Sequence, residues 1–252
     1  MTDQELKEFL DFKAEQYENS ALIQSDPIQL PHRFERKEDI EIVAFLISTI
    51  AWGTRKGIIS SGEKLIDIME NEPLTFIREY SDKTLKNSTF VHRTFNIADL
   101  NQFFLSLNRI YENSTLEACF STHPEIQGVK GRIANFRSVF FQSDDLLRSM
   151  KHVSDPLRNS ACKRINMYLR WMVRDSTKGV DFGIWNSIPT SELYLPLDVH
   201  TSRNARELGL LSRKQDDWKA LDELMFKLRA FDAADPVKYD FALFGIGAFE
   251  KF

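Results

Sequence analysis

Apolar residues recur at helical spacing along most of this 252-residue chain. The clearest example is the segment from residue 100 to residue 110, whose apolar residues are Leu100, Phe103, Phe104, Leu107 and Ile110. Side chains at this spacing lie on one face of an α-helix. The chain contains only 10 Gly and 8 Pro, too few for the many tight turns of a β-sandwich or barrel. We therefore predict an all-α fold.

The predicted helices cover residues 2–18, 38–51, 57–70, 73–80, 96–111, 115–120, 133–141, 160–174, 199–209, 215–229 and 236–245. Pro27 and Pro31 interrupt the segment 25–34, which we expect to be an extended connector. Asp235 and Pro236 stand where the N-cap and the first residue of the last helix belong.

Composition limits the classes of protein to consider. A hydrophobic content of 42% with 20 Phe indicates a sizeable core and excludes a disordered chain. The longest apolar run, residues 40–52, is too short to span a bilayer, and the N-terminus lacks the apolar stretch of a signal peptide. We expect a cytoplasmic protein with no membrane partner.

The metal-binding residue types are too few or too scattered for a metal site. Cys119 and Cys162 are the only cysteines, and two thiols alone cannot build a zinc or iron–sulfur site. The five His do not show the spacing of a metal hydrolase motif. We expect no metal and no cofactor.

Charge is distributed unevenly along the chain. Residues 146–214 carry 12 Lys/Arg and 6 Asp/Glu, whereas the rest carries 21 and 31. This asymmetry favours a basic working face on an acidic protein. A random scatter of surface charge is the alternative.

The segment from Ser160 to Arg174 predicts a helix with two different faces. One is apolar and contains Cys162, Ile165, Leu169, Met172 and Val173; the other contains Lys163, Met167, Arg170 and Arg174. Downstream, Asp198 stands at the N-cap position of a further helix that ends at Gly209.

Several motifs resemble the helix–hairpin–helix DNA glycosylases. The tract Pro196-Leu-Asp-Val-His-Thr-Ser-Arg203 resembles the stretch of those enzymes in which an aspartate is both catalytic and a helix cap. Lys163, in Ser160-Ala-Cys-Lys-Arg, matches the place of their lysine nucleophile. Its separation from Asp198 is close to that of the archaeal 8-oxoguanine DNA glycosylase branch. The segment Phe45-Leu-Ile-Ser-Thr-Ile-Ala-Trp-Gly-Thr-Arg55 resembles the helix–turn that probes the lesion-bearing base pair.

The sequence also departs from that family. Residues 152–159, His-Val-Ser-Asp-Pro-Leu-Arg-Asn, replace the glycine-rich hairpin that precedes the lysine. The four-cysteine loop is absent, so no iron–sulfur cluster is expected; the archaeal branch similarly lacks both features. The whole chain resembles more specifically a bacterial family of this length without an assigned function. The shared motifs are Ala-Trp-Gly-x-Arg, Ser-Ala-Cys-Lys-Arg, Leu-Arg-Trp-Met-Val-Arg and Tyr-Asp-Phe-Ala-Leu-Phe-Gly.

The glycosylase resemblance implies a two-lobed helical bundle with a cleft between lobes of about residues 35–145 and 146–252, the latter packed by helix 2–18. It implies removal of an oxidised purine such as 8-oxoguanine from double-stranded DNA, with AP-lyase activity. Lys163 would be the nucleophile, beside the catalytic carboxylate of Asp198. The residues expected to bind DNA or probe the base are Trp52, Thr54, Arg55, Arg170, His200 and Arg203. Phe244 and Phe249 are candidates for the base pocket.

Two other functions are compatible with the same residues. In the first alternative, the chain is a non-catalytic DNA-binding protein on a glycosylase scaffold. In the second, it is a helical interaction protein. Locally, Asp198 is explained equally well as a plain helix cap, Lys163 as part of a solvated helix face, and Trp52 as a core residue.

Overall fold

The computed structural model describes residues 1–81, 83–85, 88–142, 148–175 and 177–250, with Phe249 described by its backbone alone. These residues are mostly helical, which confirms the all-α prediction. Their α-helices are α1 (Asp3–Tyr17), α2 (Lys37–Thr49), α3 (Arg55–Ile68), α4 (Pro73–Arg78), α5 (Ile97–Asn113), α6 (Leu116–Cys119), α7 (Gly128–Phe140), α8 (Lys163–Val173), α9 (Val199–Glu207), α10 (Trp218–Phe231) and α11 (Tyr239–Gly245). Strands β1 (Val91–His92) and β2 (Phe95–Asn96) form a small antiparallel hairpin that the sequence analysis did not predict.

The chain folds as two compact units. The first consists of Met1–Ile23 and Asp155–Phe252, and the second of Gln24–Ser154. The boundary near residue 145 expected from the sequence lies outside the described residues. Among the described residues, no helix is both long and apolar enough to cross a membrane.

In the first unit, α1 packs along α11. Helix α1 begins with a capping box, in which Thr2 and Glu5 satisfy each other's backbone N–H groups. Its buried residues Leu6, Leu10 and Ala14 follow helical spacing. Gly245 permits the close approach of the two helices, because a Cβ at that position would overlap the ring of Tyr17.

Helix α8 begins at Lys163, three residues later than predicted. Cys162 has a left-handed backbone conformation with φ 50°, so it cannot belong to a right-handed helix. The predicted apolar face is confirmed from Ile165 onward, since Leu169, Met172 and Val173 are also buried.

The second unit is built around α2, in which every residue from Asp39 to Thr49 is buried. The ring of Phe45 lies 5.7 Å from that of Phe103, 5.4 Å from Phe136 and 5.2 Å from Phe140. These residues come from α2, α5 and α7, so the aromatic cluster holds the three helices together.

Three further details of the sequence prediction are wrong. Segment 25–34 is not extended but contains the short 3-10 helices Pro27–Gln29 and Pro31–Arg33, because the fixed φ of proline suits the first residue of such a turn. Helix α7 begins at Gly128, five residues before the predicted start. The last helix starts with a 3-10 turn, Pro236–Lys238, and Asp235 makes no side-chain cap.

Candidate active site

Lys163 and Asp198 meet within the first unit. Lys163 is the first residue of α8, and Asp198 immediately precedes α9. The Lys163 Nζ lies 2.8 Å from the Asp198 Oδ2. The starts of two helices that are far apart in sequence are therefore joined by an ion pair.

Asp198 uses its two carboxylate oxygens for different tasks. Oδ1 accepts hydrogen bonds from the backbone N–H groups of His200 and Thr201, each at 2.9 Å, and so caps α9. Oδ2 faces the ammonium group of Lys163. The cap holds the carboxylate at the start of α9, and its second oxygen faces the lysine.

The pair is partly open to solvent, with side-chain exposures of 38% for Lys163 and 26% for Asp198. Burial by itself raises the pKa of Asp198, but the charge and hydrogen bond of Lys163 and the backbone N–H of Thr201 outweigh it. The pKa of Asp198 therefore lies below its usual value. Asp198 is an anion at neutral pH, as a group that stabilises a neighbouring cation must be.

Arg170 lies on the same face of α8 as Lys163, but its guanidinium is buried. Its Nε donates to Asp181 Oδ1 at 3.2 Å, and its Nη1 binds Asp240. The guanidinium also lies 4.5 Å from the ring centroid of Phe241. The structure therefore places Arg170, expected from the sequence to contact DNA, in a buried ion-pair network.

Arg174, the residue directly after α8, continues this network. It donates to Glu18 Oε2 at 2.9 Å, to Asp181 Oδ2 at 3.2 Å and to Asp235 Oδ2 at 2.8 Å. Asp235 is thus used as an ion-pair partner, which explains why it does not cap the last helix.

Asp240 is a site residue that the sequence analysis did not single out. Burial, together with the charges of Asp198 and Asp181, raises its pKa to about 6 against the opposing effects of Arg170 and Lys163. Asp240 is paired with Arg170, two turns along α8 from Lys163. The sequence does contain a signal for Asp240. It is the single charged residue of the motif Tyr-Asp-Phe-Ala-Leu-Phe-Gly, and a charged residue is rarely buried unless it is paired.

His200 and Arg203 lie on the exposed side of α9. His200 is in the first turn, directly after Val199, whose side chain is 72% exposed. The Arg203 side chain is 54% exposed, and its Nε is 3.9 Å from Glu207. Both side chains are therefore accessible to a binding partner, and both lie on α9, the helix that Asp198 caps.

The segment that replaces the glycine-rich hairpin is a compact turn that is hydrogen-bonded to α10. Asp155 accepts a hydrogen bond from the backbone of Leu157 at 2.9 Å, and Asn159 is left-handed with φ 61°. The Asn159 side chain donates to Asp217 at 2.8 Å, and its carbonyl accepts from Trp218 N at 3.0 Å. This turn leaves the side chains of Leu157 and Arg158 exposed.

Trp52, Thr54 and Arg55 lie in the second unit, between α2 and α3. Trp52 is half-buried: its ring contacts that of His92 edge-on at 5.2 Å and stacks on His152 at 6.0 Å. Thr54 caps α3 through the N–H of Gly57 at 3.2 Å, and Arg55 is exposed at its first position. Phe244, in the first unit, is half-buried, whereas the Phe249 side chain lies outside the described part.

Among the described residues, no three His, Cys, Asp or Glu side chains are grouped as metal ligands would be. Both cysteines are buried free thiols. Burial raises the pKa of the Cys119 thiol to about 11, which makes it a poor nucleophile at neutral pH.

Residues 26–249 match the profile of the family described as "Protein of unknown function (DUF2400)". The matched stretch contains α2 to α11 and therefore both Lys163 and Asp198. A comparison with curated proteins and one with solved structures each gave no match.

Proposed function

Because the chain belongs to this family of unknown function, we propose its activity from the site: it is a DNA glycosylase with AP-lyase activity that acts through a Schiff base on Lys163. The observation that carries this proposal is the contact of 2.8 Å between the Lys163 Nζ and the Asp198 Oδ2, partly open to solvent. An amine nucleophile beside a fixed carboxylate is the arrangement that cleavage of an N-glycosidic bond through a Schiff base uses.

The chemistry proceeds from the neutral amine, after the ammonium has given a proton to solvent. The nitrogen of Lys163 attacks C1′ of the damaged nucleotide, the bond from C1′ to the base breaks, and the departing base takes the electron pair and a proton. Positive charge that develops on the sugar is stabilised by the Asp198 carboxylate, which the helix cap keeps in place.

The resulting aminal opens to a Schiff base. The bond from C1′ to O4′ breaks, O4′ takes a proton, and a C1′=N iminium forms on Lys163. Loss of a C2′ proton then expels the 3′ phosphate and cleaves the strand. Borohydride adds hydride to C1′ of the iminium and converts it to a stable secondary amine, which makes the intermediate measurable.

Binding to duplex DNA is supported by exposed cationic side chains near the pair. Arg158 precedes α8 by five residues and is 89% exposed, and Arg203 lies on the helix that Asp198 caps. Such side chains neutralise backbone phosphates. We propose double-stranded DNA with a damaged base as the substrate, and the two-lobed helix–hairpin–helix glycosylase fold as the scaffold. The choice of an oxidised purine, such as 8-oxoguanine, rests on the archaeal resemblance.

The decisive experiment is borohydride trapping of the full-length protein on duplexes that carry either 8-oxoguanine or an abasic site. The abasic duplex reports on Lys163 chemistry independently of the base that the enzyme prefers. We expect a covalent adduct with the wild type and none with Lys163→Gln. Lys219→Gln, an exposed lysine on α10, is the matched control and retains the adduct. No Lys163-dependent adduct on either duplex, or on other lesions, would overturn the proposal.

A non-catalytic DNA-binding protein is the second candidate. It is favoured by the ion pair itself, since an ammonium held by a carboxylate is not a nucleophile. In that case Lys163→Ala and Asp198→Asn retain salt-sensitive duplex binding, and the wild type gives no adduct. Absence of any salt-sensitive binding would instead support a helical interaction protein.

A further inference from the structure

Two segments of the second unit that lie far apart in the chain meet at Trp52. One is the turn 52–56 between α2 and α3, and the other is the hairpin formed by β1 and β2. His92 of β1 joins them. Its Nε2 donates to the Trp52 carbonyl at 3.0 Å, and its Nδ1 lies 2.8 Å from the Oγ of Ser61 on α3. The hairpin is therefore anchored to the turn.

The indole ring of Trp52 is held in place and stays partly exposed. The His92 ring contacts it edge-on at 5.2 Å, and the His152 ring is stacked on it at 6.0 Å. The remaining tryptophans are buried, each with 2% or less of its surface exposed: Trp171, Trp185 and Trp218. Trp52 is thus the tryptophan that a large ligand can reach. An aromatic ring in a fixed orientation is a suitable stacking surface for a nucleobase.

The side chain of Arg93, in the turn of the hairpin, lies over the turn 52–56. It covers the open side of Gly53, where a Cβ would be 3.4 Å from both the Cδ and the Nη1 of Arg93. Arg93 is exposed and has no ion-pair partner among the described residues. Its guanidinium is therefore held beside the residue that follows Trp52, with its N–H donors open to a ligand.

The backbone conformation of Arg93 is unfavourable for its residue type. The register of the hairpin leaves Arg93 and Thr94 as a two-residue turn, and Arg93 is left-handed with φ 55°. Glycine, asparagine and aspartate are the residues that such a position favours. An arginine there costs stability, and a cost of this kind is typical of residues at functional sites.

The surface around Trp52 is cationic. The turn 52–56 contains exposed Arg55 and Lys56, the hairpin adds Arg93, and neither segment contains an acidic residue. A partner that fits this surface supplies a flat aromatic group together with repeated negative charges. Nucleic acid supplies both, because its bases stack on aromatic side chains and its phosphates bind arginine and lysine.

We propose that Arg93 binds a phosphate of the DNA backbone beside an unpaired base that stacks on Trp52. His92 is a positioning residue, which acts through Trp52. The inference rests on the proposed function only for the choice of DNA as the partner. It goes beyond that function because it assigns a contact of the second unit that involves no chemistry at Lys163.

Tryptophan fluorescence tests the stacking directly. Full-length protein is titrated with a duplex that carries one tetrahydrofuran residue, which leaves the opposite base unpaired and has no aldehyde to react with Lys163. Stacking of a base should quench exposed Trp52 and not the buried tryptophans. We expect quenching of the wild type and none of Trp52→Phe. A wild-type protein that is saturated with the duplex by fluorescence anisotropy, and yet not quenched, would overturn the proposal.

Arg93→Gln tests the phosphate contact in anisotropy titrations with the same duplex. We expect an affinity about fivefold to tenfold lower at about 0.1 M salt, and a slope of log affinity against log salt reduced by about 1. Quenching at saturation should persist. Arg78→Gln removes an exposed arginine of α4 in the same unit and should bind like the wild type. Unchanged affinity in Arg93→Gln, or an equal loss in Arg78→Gln, would refute the contact.

Arg93→Asn separates binding from structure, because asparagine adopts the left-handed conformation more readily than arginine. This variant should match or exceed the Tm of the wild type and still lose affinity as Arg93→Gln does. A lowered Tm together with the lost affinity would assign Arg93 a structural role and refute the proposal. Quenching without a Lys163 adduct would refute the proposed catalysis alone, whereas an adduct without quenching would refute only this contact.

Discussion

Asp198 binds Lys163 with one carboxylate oxygen, at 2.8 Å, and caps helix α9 with the other. The same side chain therefore contributes to the stability of the fold and to the charge of the candidate site. Because the two tasks use different atoms and need different chemistry, substitutions at this position can separate them.

Substitution of Asp198 should distinguish the cap from the charge. Asparagine is a good N-cap, so Asp198→Asn should keep most of the cap, whereas Asp198→Ala should lower the free energy of unfolding by about 1 kcal/mol more. Both variants should lose the borohydride adduct on the 8-oxoguanine duplex, because both lack the anion that supports departure of the base. Urea unfolding measures the first effect and trapping the second. Equal stability of the two variants would contradict the capping role.

The stability of the protein should depend on pH through Asp240. Its pKa is about 6 in the folded chain and near 3.8 when unfolded, so between these values the folded chain binds more protons. The free energy of unfolding therefore falls as pH rises from about 4 to about 6. Asp240→Asn should lack this contribution, and Asp235→Asn should retain it. Urea unfolding between pH 4 and 7 tests this; parallel curves for wild type and Asp240→Asn would argue against it.

Removal of Arg174 should strongly destabilise the first unit. Arg174→Met leaves the buried carboxyl groups of Glu18 and Asp181 without this guanidinium, and we expect a loss of about 3 to 5 kcal/mol in unfolding free energy. Arg33→Gln breaks the exposed pair with Glu63 and should cost ~0.5 kcal/mol or less. Chemical denaturation compares the two. Similar losses would show that burial of the network adds little.

The close packing of α1 on α11 predicts a coupled pair of substitutions. Gly245→Ala places a Cβ against the Tyr17 ring and should lower the unfolding free energy by about 1 to 3 kcal/mol. In a Tyr17→Ala background the same change should cost much less, because the ring is no longer there. A double-mutant cycle by thermal or urea unfolding measures this coupling. Additive effects would contradict the steric explanation.

Arg203 should contribute to DNA affinity through phosphate contact. Arg203→Gln is expected to weaken duplex binding irrespective of sequence and to reduce the slope of log affinity against log salt concentration by about 1. Arg33→Gln, another exposed arginine, serves as the control in the same titrations. An unchanged slope for Arg203→Gln would remove α9 from the proposed DNA-binding surface.

The sequence predicted most helices because their signals are local. The apolar face of α8 and the Asp198 cap were read from residues that are neighbours along the chain. Where local rules compete, the prediction failed. The prolines of segment 25–34 initiate 3-10 turns as readily as extended chain, and Cys162 ends up left-handed for reasons that its residue type does not reveal.

Hydrophobic periodicity and capping chemistry thus determined which segments of this protein are helical, since both act over one or two turns. Only the tertiary structure decided which buried charges meet. The pattern of α8 put Lys163 and Arg170 on one face, but burial of Arg170 against Asp181 and Asp240 depends on where residues up to 70 positions away are placed. Burial strengthens a charge interaction by excluding water, and burial is a property of the packed chain that no short stretch of sequence encodes.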